Sequence, residues 1–329
     1  MSGTPSERID FCFCDQPEVM RLDQCLAQVL PHVSRARIQQ WIREGRVRVN
    51  EATPRPRDPV LGGETVVVDV PPAESGEWQA QEIPLEICFE DQDLLVLNKP
   101  PDIVVHPGAG NPDQTLLNAL LHHSPELAVL PRAGIVHRLD KETSGLMVVA
   151  RNEAARLDLI EQLSQRSLKR EYLAVVTGRL ISGGTVEEPI GRNPRDRTRM
   201  AVVPGGKPAI THYRIERRFR QHTLVRVRLE TGRTHQIRVH MAYVGFAVFG
   251  DPVYGGRLRI PPDSSLDFAQ TLRGFHRQAL HATRLGLIHP RTGQEMEWEA
   301  GPPDDMRQLI EALEEDARAH PNADGGAAE

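Results

Sequence analysis

Long apolar runs, cysteine and lysine are all scarce in this chain of 329 residues. No apolar run approaches the ~18 residues that a membrane-spanning helix needs, so no membrane protein is predicted. Residues 1–15 lack a basic patch followed by an apolar stretch, and we expect no signal peptide. Four cysteines in a chain of this length do not form a disulfide framework and are typical of a reducing cytosol. We therefore expect a cytoplasmic protein.

The sequence also lacks the usual patterns for metals and nucleotides. Cys12 and Cys14 are close together, but no second Cys or His pair at zinc spacing accompanies them. His235 and His240 are five residues apart, which does not place both squarely on one helix face. No glycine-rich nucleotide loop and no internal repeat is present. We predict no metal and no nucleotide cofactor.

The net charge of −5 conceals a strong asymmetry along the chain. Residues 190–240 contain thirteen Arg or Lys against three acids, whereas residues 304–329 contain eight acids against two bases. Arginine outnumbers lysine 36 to 4. A basic segment suits a partner that carries phosphates, because each neutralised phosphate releases counterions. The simpler alternative is a solvated charged face.

Residues 18–72 are predicted to form a small module of two helices and a strand. The first helix has an apolar stripe made of Cys25, Leu26, Val29 and Leu30. Ser34 is a plausible N-cap for the second helix, and Gly45 occupies the position of a left-handed C-cap. The second helix has its own stripe, made of Ile38, Trp41 and Ile42. Residues 46–50 then alternate like a strand.

This order of helix, helix, glycine and alternating strand resembles the S4 RNA-binding domain. The resemblance implies a basic RNA-binding face formed by Arg35, Arg37, Arg43, Arg46 and Arg48. The alternative is a helical hairpin whose basic surface is merely solvated. The module by itself indicates RNA binding and carries no information about chemistry.

The rest of the chain predicts an α+β fold with a mixed, mainly antiparallel sheet, because strands dominate and do not alternate regularly with helices. We expect a loose tail at 1–17, the S4 domain and a Pro/Gly/Ser-bearing linker at 18–80, a second domain at 81–312 and an acidic tail at 313–329. Strands are expected at 85–89, 94–97, 146–150, 172–177, 209–215 and 224–229. Helices are expected at 115–122, 152–167 and 305–317, the second of them capped by Asn152 and packed through Leu157, Ile160 and Leu163.

The most informative stretch runs from 134 to 146, where Asp140 follows His137 and Arg138 in a loop that leads into an apolar strand. Taken alone, such an aspartate is a nucleophile, a base or a plain turn former. The sequence His-Arg-Leu-Asp-Lys-Glu-Thr-Ser-Gly resembles the active-site signature of the RluA-type pseudouridine synthases at every fixed position. That family breaks the bond from ribose C1′ to uracil N1 and rejoins the base through C5, which requires no cofactor.

The resemblance also implies partners for Asp140. Burial raises the pKa of a carboxyl unless a positive charge offsets it, and the segment 230–240 resembles the family motif whose arginine, here Arg238, pairs with the catalytic aspartate. Tyr172 resembles the active-site tyrosine, which stacks on uracil and can assist the C5 proton. The alternatives are a basic segment that contacts phosphates and a tyrosine of the core.

The resemblance assigns the RNA contacts as well. Arg138 matches the arginine that occupies the space of an everted base, while His137 is expected mainly to orient the loop. The remaining predicted contacts are Arg192, Arg195, Arg197, Arg199, Arg233 and His235. Similarity over residues 18–312 implies 23S ribosomal RNA or an assembling large subunit as the partner of a monomer. The alternatives are another large-subunit site, a transfer RNA, or a non-catalytic assembly factor.

Overall fold

The computed structural model describes residues 7–13, 19–30, 33, 35–70, 78–108 and 110–321. The chain divides into two compact units, residues 1–77 and 78–329. The proposed N-cap Ser34, residues 71–77 of the predicted linker, Cys14 and the side chain of Arg37 lie outside the described residues. None of the helices in the described ranges has the length and apolarity that a membrane crossing requires.

The first unit contains two short helices and a small antiparallel sheet. Its elements are β1 (Glu7–Cys12), β2 (Met20–Arg21), α1 (Leu22–Val29), α2 (Arg35–Arg43), β3 (Val47–Val49), β4 (Pro59–Val60) and β5 (Thr65–Val70). The sheet order is β1-β5-β3, and β2 pairs with β4. The stripe Ile38, Trp41 and Ile42 is buried as predicted. Gly45 adopts a left-handed φ of +73° at the second position after α2, as its predicted C-cap role requires.

Two expectations for this unit are wrong. Residues 7–12 are not a loose tail, because β1 pairs antiparallel with β5 from Glu7 opposite Val70 to Cys12 opposite Thr65. The partner strand is more than fifty residues away, so no local signal marks the pairing. Val29 is exposed, and Leu22 replaces it in the buried face of α1.

The second unit is built on one large mixed sheet. Its strands are β6 (Ile87–Glu90), β7 (Leu94–Lys99), β8 (Ser144–Ala150), β9 (Lys169–Thr177), β10 (Gly184–Glu187), β11 (Ile190–Arg192), β12 (Met200–Val202), β13 (Ile210–Arg218), β14 (His222–Leu229), β15 (Leu280–Ile288) and β16 (Glu295–Glu299). Its helices are α3 (Leu116–His123), α4 (Glu153–Ser164), α5 (Gln236–Tyr243), α6 (Leu266–Gly274) and α7 (Asp304–Ala319). The predicted α+β class is confirmed.

The strand order of the large sheet is β10-β13-β14-β9-β15-β8-β7-β6, with β16 pairing on β15 and β11 and β12 forming a separate hairpin. Only β15 and β8 run parallel among the described pairs. Gly145 lies at that contact, where a Cβ atom would stand 2.3 Å from the carbonyl oxygen of Ala282. Glycine is therefore required at the start of β8, where the loop that carries Asp140 enters the sheet.

Two predicted helices need correction, one in its packed face and the other at its C-terminal end. Asn152 caps α4 by accepting a hydrogen bond from the backbone N–H of Ala155, but the buried face of that helix is Ala155, Leu159 and Gln162. The predicted stripe is wrong, since Leu157 and Ile160 are exposed. Helix α7 extends to Ala319 and buries Leu313, so the first part of the predicted acidic tail is helical. Residues 322–329 lie outside the described part.

Candidate active site

A cavity of about 470 Å³ opens where the β8 loop, strand β9 and the start of α5 meet. Seven residues predicted from sequence line it: Asp140, Tyr172, Arg238, His137, Arg138, Arg233 and His235. Three separate segments of the chain contribute them. The cavity is therefore assembled by the fold, and no single motif could have defined it.

Arg238 joins two carboxylates on the wall of this cavity. Its Nη1 donates a hydrogen bond to Asp140 Oδ2 at 2.9 Å. Its Nε and Nη2 donate to the two oxygens of Asp251 at 2.7 and 2.9 Å. Burial opposes the charge of the guanidinium, but the hydrogen bond to Asp251 and the charges of both carboxylates outweigh it, so the pKa of Arg238 is raised. The cation stays charged beside Asp140.

The loop that carries Asp140 is held from several sides. Buried Lys99 donates from Nζ to the carbonyl of Lys141 at 2.9 Å and to two carbonyls of its own turn. The Nε2 of His137 accepts a hydrogen bond from the backbone N–H of Val148 at 3.1 Å. Burial and then the charge of Arg170 lower the pKa of His137 to about 3, so the ring stays neutral and can accept. These contacts fit the loop-orienting role expected for His137.

His235 and Tyr254 connect this site to the β11–β12 hairpin. His235 Nδ1 lies 2.8 Å from the hydroxyl of Tyr254, and its Nε2 lies 3.8 Å from Asp140 Oδ1. The Tyr254 hydroxyl accepts a hydrogen bond from the backbone N–H of Met200 at 2.9 Å, and its ring lies beneath Arg238 at 5.1 Å. Burial lowers the pKa of His235, although the charge of Asp140 opposes that shift.

Tyr172 points into the cavity from β9 and is 6% exposed. Burial raises the pKa of its hydroxyl, the charge of Arg170 opposes this rise, and that of Asp140 adds to it. The phenol is therefore protonated at neutral pH and presents an apolar ring with one hydroxyl. This is the chemistry that a stacking surface for a base requires.

The predicted RNA contacts outside the cavity differ in how freely they can bind phosphate. Arg192 donates to the carbonyl of Arg197, and Arg199 pairs with Asp196 at 3.1 Å. Arg195 and Arg197 are exposed on the same hairpin, and their side chains have no partner among the described residues. The hairpin thus offers two guanidinium groups that no described residue pairs with.

A similar division holds in the first unit. Arg35 donates to buried Asp23 at 2.9 Å, so it helps to hold the helix pair together. Arg46 pairs with Glu44 at 3.0 Å. Arg43 and Arg48 are exposed. These two are the better-placed cations of the predicted basic face.

The sequence interpretation gave no role to several polar residues in or beside the cavity wall, among them Lys99, Arg170, Asp251 and Tyr254. Three of them stand in stretches that already resemble the family, Asn-Lys-Pro at 98–100 and Gly-Asp-Pro-Val-Tyr at 250–254. An aspartate between glycine and proline is an ordinary turn signal, and neither Lys99 nor Tyr254 stands in a spacing that indicates a chemical role, so the pattern alone assigned these residues none.

Comparison with known proteins identifies the family of this chain. The family model described as RNA pseudouridylate synthase matches residues 93–243, and the S4 domain model matches residues 20–66. The chain is also 57% identical to a curated pseudouridine synthase over 91% of its own length. This chain therefore belongs to the RNA pseudouridylate synthase family and is an RNA pseudouridine synthase with an S4 domain.

The relatives are more specific. "Ribosomal large subunit pseudouridine synthase D" of Escherichia coli O6:H1 is 57% identical over 301 residues, which cover 92% of that protein. The protein of the same name from Vibrio parahaemolyticus is 52% identical and is covered to 93%. Among solved structures, human RNA pseudouridylate synthase domain containing 4 has a TM-score of 0.54 at 25% identity, with 70% of this chain and 93% of that chain covered. Human RNA pseudouridylate synthase domain containing 1 has a TM-score of 0.53 at 27% identity, with 71% of this chain and 96% of that chain covered.

Proposed function

We propose that this chain isomerises uridines of large-subunit ribosomal RNA to pseudouridine, with Asp140 as the reacting carboxylate. The observation that carries the proposal is the 2.9 Å pair of Asp140 and Arg238 on the wall of a cavity that Tyr172 also lines. The names of the relatives support the choice of RNA. Asp140 is the nucleophile, or the base, that acts when the C1′–N1 bond breaks.

The geometry supports a different role for each residue around the substrate. Asp140 keeps 18% of its side chain exposed toward the cavity, whereas Asp251 is fully buried behind Arg238. One carboxylate is thus available to a nucleotide and the other fixes the cation. Tyr172 provides the ring on which uracil stacks, and exposed Arg138 at the cavity edge takes the space that the everted base vacates.

RNA affinity is assigned to other residues. Arg195 and Arg197 on the hairpin, and Arg43 and Arg48 in the first unit, are exposed cations suited to phosphate contacts. Such contacts supply affinity and register but no chemistry. Binding and turnover should therefore be separable by substitution.

The direct test is Asp140→Asn, which preserves shape and removes the charge. We expect tritium release from RNA containing 5-tritiated uridine to fall below detection, while RNA affinity changes by less than about tenfold because phosphate contacts dominate it. Equal losses of affinity and turnover would show that Asp140 is structural. Circular dichroism and thermal unfolding of the variant provide the folding control.

The choice of RNA is tested by mapping the product. Purified 23S RNA, transfer RNA and large-subunit particles are each incubated with the protein, and pseudouridines are located by carbodiimide-induced stops in reverse transcription. We expect new stops in 23S RNA or in the particle. Stops confined to transfer RNA would overturn the assignment of the substrate and leave the chemistry intact.

A further inference from the structure

Arg170 is a buried cation in the cavity that the functions assigned above do not use. It is 7% exposed, lines the cavity and follows Lys169 at the start of β9. Its Nε is buried without a hydrogen-bond partner. Within the described ranges, no hydrogen bond or ion pair engages its side chain.

An unpaired guanidinium in this position is unfavourable for the folded protein alone. A charge removed from water without a partner loses its hydration and gains nothing in exchange. The other buried arginines among the described residues of the second unit are paired: Arg238 with two aspartates and Arg277 with Asp305 at 2.6 Å. Strain or unmet charge in a cavity is often explained by the ligand that the cavity receives.

The surroundings of Arg170 place its side chain near Tyr172. Residues 170 and 172 point to the same face of β9, because alternate residues of a strand share a face. A Cβ atom at Gly232 would stand 2.8 Å from Arg170 Nη1, so the guanidinium lies directly against the backbone at Gly232. The charge of Arg170 also acts on the ring of His137 and on the hydroxyl of Tyr172. Arg170 is thus close to the proposed uracil platform.

We propose that Arg170 is a catalytic residue that donates hydrogen bonds to a carbonyl oxygen of the everted uracil and stabilises the negative charge that the ring acquires during isomerisation. The proposal rests on the function proposed above. A preorganised cation aimed at developing charge in a cavity is an effective source of rate. It also explains why the guanidinium has no acidic partner, since a resident carboxylate would neutralise it.

The charge arises as follows. When the C1′–N1 bond breaks, its electron pair stays on uracil and is spread over N1 and the two carbonyl oxygens. C1′ takes an electron pair either from Asp140 or from the ribose C2′–H bond after Asp140 accepts that proton. The bond from C5 to C1′ then forms and the electron pair or proton is returned. The C5 proton leaves and N1 takes one up, so the product is an isomer of the substrate.

The test compares Arg170→Met, which keeps length and removes charge, with Arg170→Lys. At saturating RNA, we expect the single-turnover rate of Arg170→Met to fall about 100-fold, as for the loss of one oxyanion-type donor. Its RNA Kd should change less than about threefold. The single-turnover rate of Arg170→Lys should be about tenfold higher than that of Arg170→Met. A raised Kd and a lower salt dependence with an unchanged rate would mean a phosphate contact and would overturn the proposal.

Two further measurements distinguish charge stabilisation from a structural role. Fluorine at C5 withdraws electrons from the ring, so the variant's defect in consuming 5-fluorouridine RNA should shrink to about tenfold or less. An equal defect on both substrates would overturn the proposal. Removing an unpaired buried charge should also leave the melting temperature unchanged or raise it by about 2–4 °C. A lower melting temperature, together with the same rate defect on uridine RNA and on 5-fluorouridine RNA, would mark Arg170 as structural.

The matched control is Arg166→Met in the turn before β9. Arg166 is exposed and pairs with Glu230 at 2.8 Å, away from the cavity. Its substitution should leave the rate on both substrates unchanged. If the wild-type protein released no tritium from any uridine RNA, the proposed function itself would fail. A fully active Arg170→Met variant would remove only the role of Arg170.

Discussion

One arginine serves two carboxylates that have different tasks. The side chain of Asp251 is fully buried and accepts two hydrogen bonds from Arg238. It also accepts hydrogen bonds from the backbone N–H groups of Val253 and Tyr254. Asp140 receives the remaining Nη1 and stays open to the cavity. The position of the carboxylate proposed to react is therefore fixed indirectly, through an aspartate that is buried and does not line the cavity.

Asp251→Asn should separate positioning from binding. The amide keeps the turn contacts but loses the charge that fixes Arg238, so we expect the single-turnover rate to fall about 100-fold, as for a small misplacement of reacting groups. The RNA Kd should stay within about threefold, since Asp251 makes no phosphate contact. The free energy of unfolding should drop by about 3 kcal/mol, because a buried ion pair loses one partner.

The control for that loss of stability is Asp316→Asn. Asp316 pairs with Arg220 at 3.0 Å, both side chains are buried, and neither lines the cavity. It should lower stability by a similar amount and leave the single-turnover rate intact. If both variants lost rate equally, general destabilisation would explain the effect of Asp251→Asn.

At the scale of elements, the β11–β12 hairpin combines two properties. Its free guanidinium groups belong to Arg195 and Arg197, and its backbone at Met200 is bonded to Tyr254, which contacts His235. The hairpin that carries these cations is thus joined through Tyr254 and His235 to the site of Asp140. We therefore expect RNA bound by the hairpin to be aligned with the cavity.

The double substitution Arg195→Gln and Arg197→Gln should weaken RNA binding without slowing chemistry. Removing two phosphate contacts should reduce the slope of log Kd against log salt by about 1.5. The rate at saturating RNA should be unchanged. Arg307→Gln with Arg318→Gln on the acidic helix α7 removes the same charge and should leave the slope as it is. A rate loss in the hairpin variant would indicate that the hairpin also orders the site.

Elements with strong local signals could be predicted, and contacts between distant elements could not. The strands at 94–97 and 146–150 are short apolar runs, and both were predicted close to their observed bounds. Strand β1 escaped prediction because its hydrogen-bond partner is β5. In α4, Ile160 and Leu163 line the cavity, so apolar spacing misidentified its packed face.

The site shows the same limit. Asp140 and Arg238 were recognisable because each belongs to a distinctive motif, and their pairing follows from family resemblance. Asp251 and Arg170 could not be assigned, because their importance lies in what surrounds them: one saturates the arginine, and the other has no partner among the described side chains. Pairing and its absence are properties of the folded chain.

At the scale of the molecule, the second unit should be acid-sensitive. His222 and His281 are fully buried, and burial lowers the pKa of each to about 4. As the pH falls below about 6.5, the ordinary pKa of histidine, these two side chains become protonated in the unfolded chain. In the folded unit they stay neutral until about pH 4. Stability is therefore lost as the pH falls through this window.

His222→Leu should reduce this sensitivity because it removes one of the two histidines whose pKa is lowered. Neither ring nitrogen of His222 has a hydrogen-bond partner among the described residues, so the substitution breaks no hydrogen bond there. Each such histidine contributes a slope of up to about 1.4 kcal/mol per pH unit to the free energy of unfolding. We expect the variant to lower the slope between pH 6 and 5 by about that amount in urea unfolding followed by circular dichroism. Exposed His276→Gln is the control. An unchanged slope in His222→Leu would mean that His222 is charged in the fold.

The division into two compact units allows the roles of binding and chemistry to be tested with whole units. The residues proposed for chemistry all lie in residues 78–329, and the S4 match lies entirely in residues 1–77. Deleting residues 1–77 should raise the RNA Kd by about tenfold or more, because phosphate contacts are lost. The single-turnover rate at saturating RNA should stay within about threefold, since Asp140, Arg238 and Tyr172 keep their surroundings. Circular dichroism of the shortened chain confirms its folding. A rate that fell by orders of magnitude at saturation would show that the S4 unit takes part in catalysis beyond holding the RNA.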